Sequence, residues 1–342
     1  HRVDRRQRQM CIRDRIMSLD FLTDDLLIKN NNFDRPVIVT GAGGCIGAWI
    51  LTILYRSNIP CVAIDLSNNK DRLKLLLGNE ASKIKWQECD ITDLKMLKKI
   101  IISSNPGAII HLAGLQVPFC AADPVLGARV NVEGTINILE IAKEANIKRT
   151  VYASSVAALG MPPKGPWKET LYGAYKLANE HTAFVYWADW EVPSIGIRPN
   201  IVYGLARDQG MSSKNTLAIQ AAALGESFVI PYTGKYSWLY AGESALAFIT
   251  SVSKDMVGSH VFNLNGPCET IENGLSIIKK LKENASVSCI GQSLPFPPDL
   301  DDLPLRNHIG EYPSISVEKG IENTLRAFQV LKAEGRCPPM PI

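Results

Sequence analysis

No stretch of this 342-residue chain approaches the roughly 18 consecutive apolar residues that a membrane-crossing helix requires, so a water-soluble protein without a membrane partner is expected. The eight cysteines (11, 45, 61, 89, 120, 268, 289 and 337) include no C-x-x-C pair and lie scattered, several inside apolar runs. That pattern argues against a zinc or other metal site and against a disulfide framework, and a cytoplasmic location is the expectation. A basic surplus is also lacking once the start of the chain is set aside. The formal charge is +3, but residues 1–15 hold six arginines and two aspartates, and from residue 16 onward 31 basic residues face 32 acidic ones. No nucleic-acid partner is expected, the alternative being a basic arm at 1–15. No apolar core follows those arginines, which excludes a secretory signal. The run resembles translated adapter sequence, and the native start is expected at Met17.

What is present is ordinary in bulk, with 46% hydrophobic and 21% charged residues, and is long enough to bury a full core. The informative stretch is 37–49. Three β-branched residues, Val37, Ile38 and Val39, predict a buried strand, and Ile46, Ile50, Leu51 and Leu54 recur at helical spacing. Between them, Gly41, Gly44 and Gly47 permit a sharp turn, close approach of a pyrophosphate, and tight helix–strand packing, while the backbone of Gly44, Cys45 and Ile46 opens the helix toward the phosphates. A second strand is expected over 61–64. Asp65 follows, eighteen residues after Gly47, where a carboxylate receives ribose hydroxyls. That carboxylate would repel a 2′-phosphate, so NAD is expected over NADP, with Arg72 too far along to reverse the preference.

Further on, strands are expected over 84–89, 108–112 and 150–153, and helices over 71–77, 94–102 and 124–145, with a short helix over 19–28 and an Asn30–Asn32 loop before the first strand. Asp90 and Ile91 border the adenine position, although Asp90 and Thr92 also read as a helix N-cap. Leu112, Ala113 and Gly114 end the fourth strand with residues small enough for a cofactor to lie against. His111, inside that strand, reads as a core histidine ahead of an acid or base. Strand–helix units in series predict a doubly wound parallel sheet.

Chemistry is expected after the fifth strand, which ends in Ser154 and Ser155. Tyr172 and Lys176, four residues apart, share one helical face, and an ammonium there would favour the phenolate and lower the tyrosine pKa. Ser155 can hydrogen-bond the same substrate oxygen. Tyr175, one residue before the lysine, faces elsewhere.

Taken together, Thr40-Gly-x-x-Gly-x-x-Gly47, Asp65, Asp90-Ile91, His111-Leu-Ala-Gly114, Asn131-Val-x-Gly-Thr135, Ser154-Ser155, Tyr172-x-x-x-Lys176, Asn179-Glu180 and Arg198-Pro-x-x-x-Tyr203-Gly204 make the chain, over about 35–335, resemble an extended short-chain dehydrogenase/reductase of the NAD-dependent epimerase/dehydratase family. The resemblance implies a Rossmann-type α/β fold with a smaller C-terminal α/β substrate-binding domain. The corresponding segments are a leader at 1–32, an NAD-binding domain at 33–200 and a substrate domain at 201–342. It implies Tyr172 as acid/base, Ser155 orienting the reacting oxygen, Lys176 on the nicotinamide ribose, and Asn131 among the cofactor-binding residues. It also implies a homodimer through the helices over 124–145 and 171–189, the second carrying Phe184, Tyr186, Trp187 and Trp190.

Departures from the family pattern bear on substrate. Val156, Ala157 and Ala158 stand where dehydratases and decarboxylases carry acidic residues, which disfavours those reactions. Ile201 and Tyr236 occupy positions at which nucleotide-sugar enzymes commonly place an asparagine and a diphosphate-binding arginine. Asn200, with Arg207 or Arg306, is the expected compensation, and Gln116 is a further substrate candidate. The reading is an NAD-dependent oxidoreductase or epimerase acting on a carbohydrate-type small molecule: a nucleotide sugar, a sugar or a sugar acid. The alternative is a catalytically silent dinucleotide-binding regulator.

Overall fold

The computed structural model describes residues 19–29, 32–160 and 169–340; the arginine-rich start, Met17, and Asn30 and Asn31 of the expected loop lie outside them. The chain is organised by seven parallel strands. Six of them are β1 (Val37–Thr40), β2 (Cys61–Asp65), β3 (Lys85–Glu88), β4 (Ala108–His111), β5 (Thr150–Ala153) and β6 (Ser194–Pro199), and the Ser259–Leu264 strand completes the sheet. The order runs from the Ser259–Leu264 strand through β6, β5, β4, β1 and β2 to β3. β1 pairs β2 on one side and β4 on the other, with Thr40 opposite both Ile64 and His111, so the order reverses between β1 and β4. A crevice opens at the carboxyl ends of the strands at such a point.

Alternation along the strands explains why both faces are covered. Val37, Val39, Ala63, Ala108, Ile110 and Val151 belong to one apolar cluster, and Ile38, Val62, Ile64, Ile109 and Tyr152 to a second. The first face is closed by the Cys45–Arg56, Asp71–Leu77 and Ala241–Ser251 helices, and the second by Leu94–Ser103, Gly134–Glu144 and Leu171–Trp190. Among the described residues no helix is long and apolar enough to cross a membrane.

Several expectations need correction. The 19–28 segment forms only a 3₁₀ turn at Asp20–Leu22, in which Leu19 O and Asp20 O accept from the amides of Leu22 and Thr23, three residues on, and also from Arg56. The 124–145 helix is interrupted by a π-turn at Arg129–Glu133, which leaves the Asn131 carbonyl to accept from the Asn179 amide and the Thr135 hydroxyl. A helix at Val117–Ala122, absent from the sequence reading, precedes it. Asp90 is not an N-cap: it closes a turn onto Thr92, and Asp93 caps the next helix by accepting from Met96 N. Two short strands that the sequence reading above does not include, Lys235–Ser237 and Leu239–Tyr240, pair with different partners. The second half of the chain also returns to the main sheet, since Ala241–Ser251 covers one face and Ser259–Leu264 pairs with β6.

Gly47 holds the first helix against the turn: a Cβ there would lie 2.4 Å from Gly41 O and 3.0 Å from Ala42 Cα. Both neighbours are backbone and cannot swing away. Gly47→Ala should therefore destabilise the fold by about 1–3 kcal/mol, the scale of overpacking in a dense core. Chemical denaturation measures it, and an unchanged midpoint would show that the helix shifts freely.

Candidate active site

The crevice at the strand ends has a volume of about 550 Å³ and is lined by both halves of the chain. One wall is the turn after β1. Gly41 has φ +67°, and a Cβ on it would come within 2.6 Å of Ala113 N, so only glycine lets this turn lie against the end of β4. Gly44 begins the Cys45–Arg56 helix without a side-chain cap, and no acidic residue occupies the first turn, so the positive end of the helix faces the crevice. Burial pushes the Cys45 thiol up to about 11, so it stays protonated at neutral pH. At the end of β2, Asp65 Oδ2 accepts from Gly43 N at 2.9 Å and faces the same space. Arg72 donates to Gly43 O and pairs with Asp208 at 2.7 Å, which occupies its charge. Asp90 and Ile91 line the Asp65 end, and Leu112, Ala113 and Gly114 form the floor.

The other end holds Ser155, Tyr172 and Lys176. Thr170 caps the Leu171–Trp190 helix by accepting from Gly173 N at 3.0 Å, which starts the helix so that Tyr172 and Lys176 both face inward. Ser155 Oγ accepts from Ala157 N at 3.1 Å and hydrogen-bonds Tyr172. Lys176 Nζ donates to Ala153 O at 2.6 Å and lies 5.6 Å from the centre of the Tyr172 ring. The sequence expectation for the tyrosine pKa is reversed here. Burial raises it, outweighing the Ser155 hydrogen bond and the Arg207 charge that lower it. Tyr175 points away and donates to Pro124 O at 2.9 Å.

Beneath these groups lies a cluster whose members the sequence offered only as motif matches. Glu180, buried, accepts from Ser154 Oγ and from Arg198 Nε at 2.8 Å and pairs with Arg198 Nη2. It ties the end of β5, the Leu171–Trp190 helix and β6 together. Asn131 belongs to the same floor. Its Nδ2 donates to Gly127 O at 2.9 Å, while its buried Oδ1 has no partner and sits 2.7 Å from where a Cβ on Gly114 would be, with Lys176 Nζ at 3.4 Å from that point. An unpaired acceptor beside an ammonium, in a cradle that a methyl group would fill, fits a ribose hydroxyl. The residues present thus suit a dinucleotide along the crevice.

The remaining candidates divide. Gln116 and Arg207 line the crevice. Asn200 borders it, but its amide is committed to structure, donating to Asn265 Oδ1 at 2.6 Å and Pro297 O at 2.7 Å. Arg306 does not reach the site: it pairs with fully buried Glu243 at 3.0 Å and with Asp302 at 3.2 Å. His111 is a core residue, bonded to Thr40 Oγ1 at 2.7 Å and Thr135 Oγ1 at 3.2 Å, with burial lowering its pKa to about 3.

Burial lowers the Lys176 pKa from 10.5 to about 8. The unfolded chain therefore binds more protons between those values, and stability attributable to this residue rises with pH across that window and is lost as pH falls through 8. The ¹⁵Nζ resonance of Lys176 in the unliganded protein should titrate near 8, and a midpoint above 10 would contradict the buried placement.

The UDP-glucose 4-epimerase of Mycolicibacterium smegmatis is 25% identical to this chain over 315 residues, covering 85% of the chain and 98% of the relative. Alignments with three plant UDP-glucose 4-epimerases from Oryza sativa subsp. japonica and Arabidopsis thaliana are shorter, and the chain spans 39–48% of their length. Among solved structures, UDP-glucose 4-epimerase of Thermotoga maritima with UDP-glucose superposes with TM-score 0.71 at 20% identity, over 86% of this chain and 98% of that one. L-threonine dehydrogenase of Clostridium difficile superposes with TM-score 0.73 at 19% identity, over 89% and 99%. These superpositions show a shared fold. The family model of the NAD dependent epimerase/dehydratase family matches residues 37–264, two thirds of the chain, and together with the dinucleotide crevice this establishes that the chain belongs to that family.

Proposed function

We propose that the protein is an NAD-dependent oxidoreductase or epimerase acting on a secondary hydroxyl of a carbohydrate-type substrate. The observation that carries this reading is the convergence of Ser155, Tyr172 and Lys176 at one end of a crevice whose other end is Asp65. The nicotinamide supplies a hydride acceptor when bound; the rest falls to the chain. Tyr172 Oη, as the phenolate that the positive charge of a bound oxidised nicotinamide would favour, takes the proton of the substrate hydroxyl as the carbon–hydrogen bond breaks, and Ser155 Oγ hydrogen-bonds the same oxygen. Lys176 and the free Asn131 Oδ1 hold ribose hydroxyls and so fix the reacting distance. At the far end Asp65 takes the adenosine ribose, and with Arg72 tied to Asp208 no other cationic side chain among the described residues lines that end for a 2′-phosphate, which supports NAD over NADP.

Substrate class follows from what surrounds Tyr172. Val156, Ala157 and Ala158 form a buried apolar 3₁₀ turn, which offers no additional acid or base for dehydration or decarboxylation. Ile201 is buried and apolar, and Tyr236 is buried with its hydroxyl donating to Ser212 O at 3.2 Å, so neither replaces a diphosphate-binding side chain. A sugar or sugar acid suits the site better than the UDP-sugars named for the relatives.

A screen of sugars, polyols, sugar acids and nucleotide sugars with NAD tests the reading, with absorbance reporting NADH and chromatography reporting epimers. NADH accumulation identifies a dehydrogenase, and interconversion without net reduction an epimerase. With an active substrate, Tyr172→Phe should lower turnover by about 10²-fold or more while sparing cofactor binding. Lys176→Met should impair both. Tyr175→Phe is the control, and its loss with Tyr172→Phe active would overturn the assignment.

Association is proposed through the Leu171–Trp190 helix. Tyr186 turns inward, donating to Glu140, but Phe184 is 61% exposed and Trp190 50% on the same helix. Two large exposed apolar side chains on one helix suit a second copy of the chain. Sedimentation should show a dimer at micromolar concentration and Phe184→Glu a monomer; a monomeric parent protein would exclude this interface.

A further inference from the structure

Six arginines are half-buried among the described residues. Arg56, Arg72, Arg149, Arg198 and Arg306 each pair with a carboxylate within 3.0 Å. Arg207 has none. Its guanidinium makes one long contact, Nη2 to Ser212 Oγ at 3.4 Å, and its Nε is sealed from solvent with no acceptor. A guanidinium carries five donors, and leaving a buried one unpaired costs free energy that proteins normally avoid.

The surrounding loop is built to hold it there. Leu205 O accepts from the indole of fully buried Trp49 at 2.9 Å, and Ala206 takes a left-handed φ of +73°, a strained backbone for a residue with a side chain. Beyond the kink, Asp208 turns outward to Arg72 at 2.7 Å, and Arg72 is itself bonded to Gly43 O. The one carboxylate adjacent in sequence is thus spent elsewhere, while Arg207 between these two anchors lines the crevice. Its charge acts on Tyr172 and on Tyr232 and Tyr236, which places it on the catalytic side of the site.

We propose that Arg207 is the anchor for an oxyanion carried by the substrate, and that the substrate is therefore a hydroxy acid of the sugar-acid class, its carboxylate on Arg207 and its reacting hydroxyl at Tyr172. This rests on the assignment of Tyr172 above and adds the substrate's charge. The planar fork of a guanidinium matches a carboxylate through two parallel hydrogen bonds. A cofactor pyrophosphate offers the same oxyanion chemistry, and Arg207 also acts on Cys45 in the glycine-rich turn. That turn already presents an uncapped helix terminus for the pyrophosphate, whereas Arg207 Nη2 and Gln116 Oε1 both lie within 3.2 Å of where a Cβ on Gly210 would be, which pairs Arg207 with the other substrate candidate.

Calorimetry on the NAD-loaded protein separates these sources without requiring turnover. The probes are hexuronates and four- to six-carbon aldonates, each beside its neutral hexose or polyol. At least one acid should bind about tenfold or more tightly than its neutral counterpart, and Arg207→Gln should erase that preference while leaving NAD affinity within about twofold, the scale set by a charge-assisted hydrogen bond. Arg207→Lys should restore part of the preference, and thermal midpoints establish that each variant is folded. Tyr172→Phe should keep acid binding intact, so failure of the proton-exchange assignment is read separately, from turnover. The proposal is overturned if Arg207→Gln weakens NAD by the same factor, if the preference survives the substitution, or if no acid is preferred.

Discussion

Everything at this site depends on two backbone segments lying closer than side chains permit. The turn after β1 and the end of β4 meet at Gly41 and Ala113, where a Cβ would fall 2.6 Å from a backbone nitrogen. That contact exists because β1 stands between β2 and β4, and the reversal of strand order opens a crevice there. Glycine at 41 makes the turn, glycine at 47 lets the helix follow, and glycine at 114 leaves room for Asn131 Oδ1 and the Lys176 ammonium. A methyl group at any of the three would fill the space the dinucleotide needs or displace the backbone that defines it.

Within that frame, burial sets the electrostatics more than neighbouring charge does. Tyr172 is pushed up and Lys176 down to about 8, so both charged forms are disfavoured in the unliganded site. Glu180 is tolerated in the floor because Arg198 and Ser154 meet its oxygens. Arg207 is the exception, a half-buried cation with no carboxylate partner among the described residues. The site is thus complete in its supports and incomplete where ligands make contact.

The parts legible in the sequence were those encoded locally. The glycine spacing, the carboxylate at the end of β2 and the four-residue separation of Tyr172 and Lys176 each specify a geometry within one turn or one helix. What escaped was set by distant partners. Asn200 reads as a substrate ligand until Pro297, 97 residues away, takes its amide. Arg306 reads as a free cation until Glu243, 63 residues away, claims it. The direction of the Tyr172 pKa was missed because spacing reports the nearness of an ammonium but not the depth of burial. The opposed directions of Arg207 and Asp208 hang on a single left-handed residue, Ala206, which composition does not mark. The place of the Ser259–Leu264 strand in the main sheet is set by its pairing with β6, which its own residues do not specify.

The central claim is that one crevice holds the dinucleotide in one direction, adenosine toward Asp65 and nicotinamide toward Tyr172. A crystal structure of the protein with NAD tests this most directly. The account predicts the adenosine ribose on the Asp65 carboxylate, the pyrophosphate over Gly44 and Cys45, and the nicotinamide ribose against Lys176 and Asn131. A dinucleotide bound in the reverse direction, or outside the Gly41–Ala113 crevice, would contradict it.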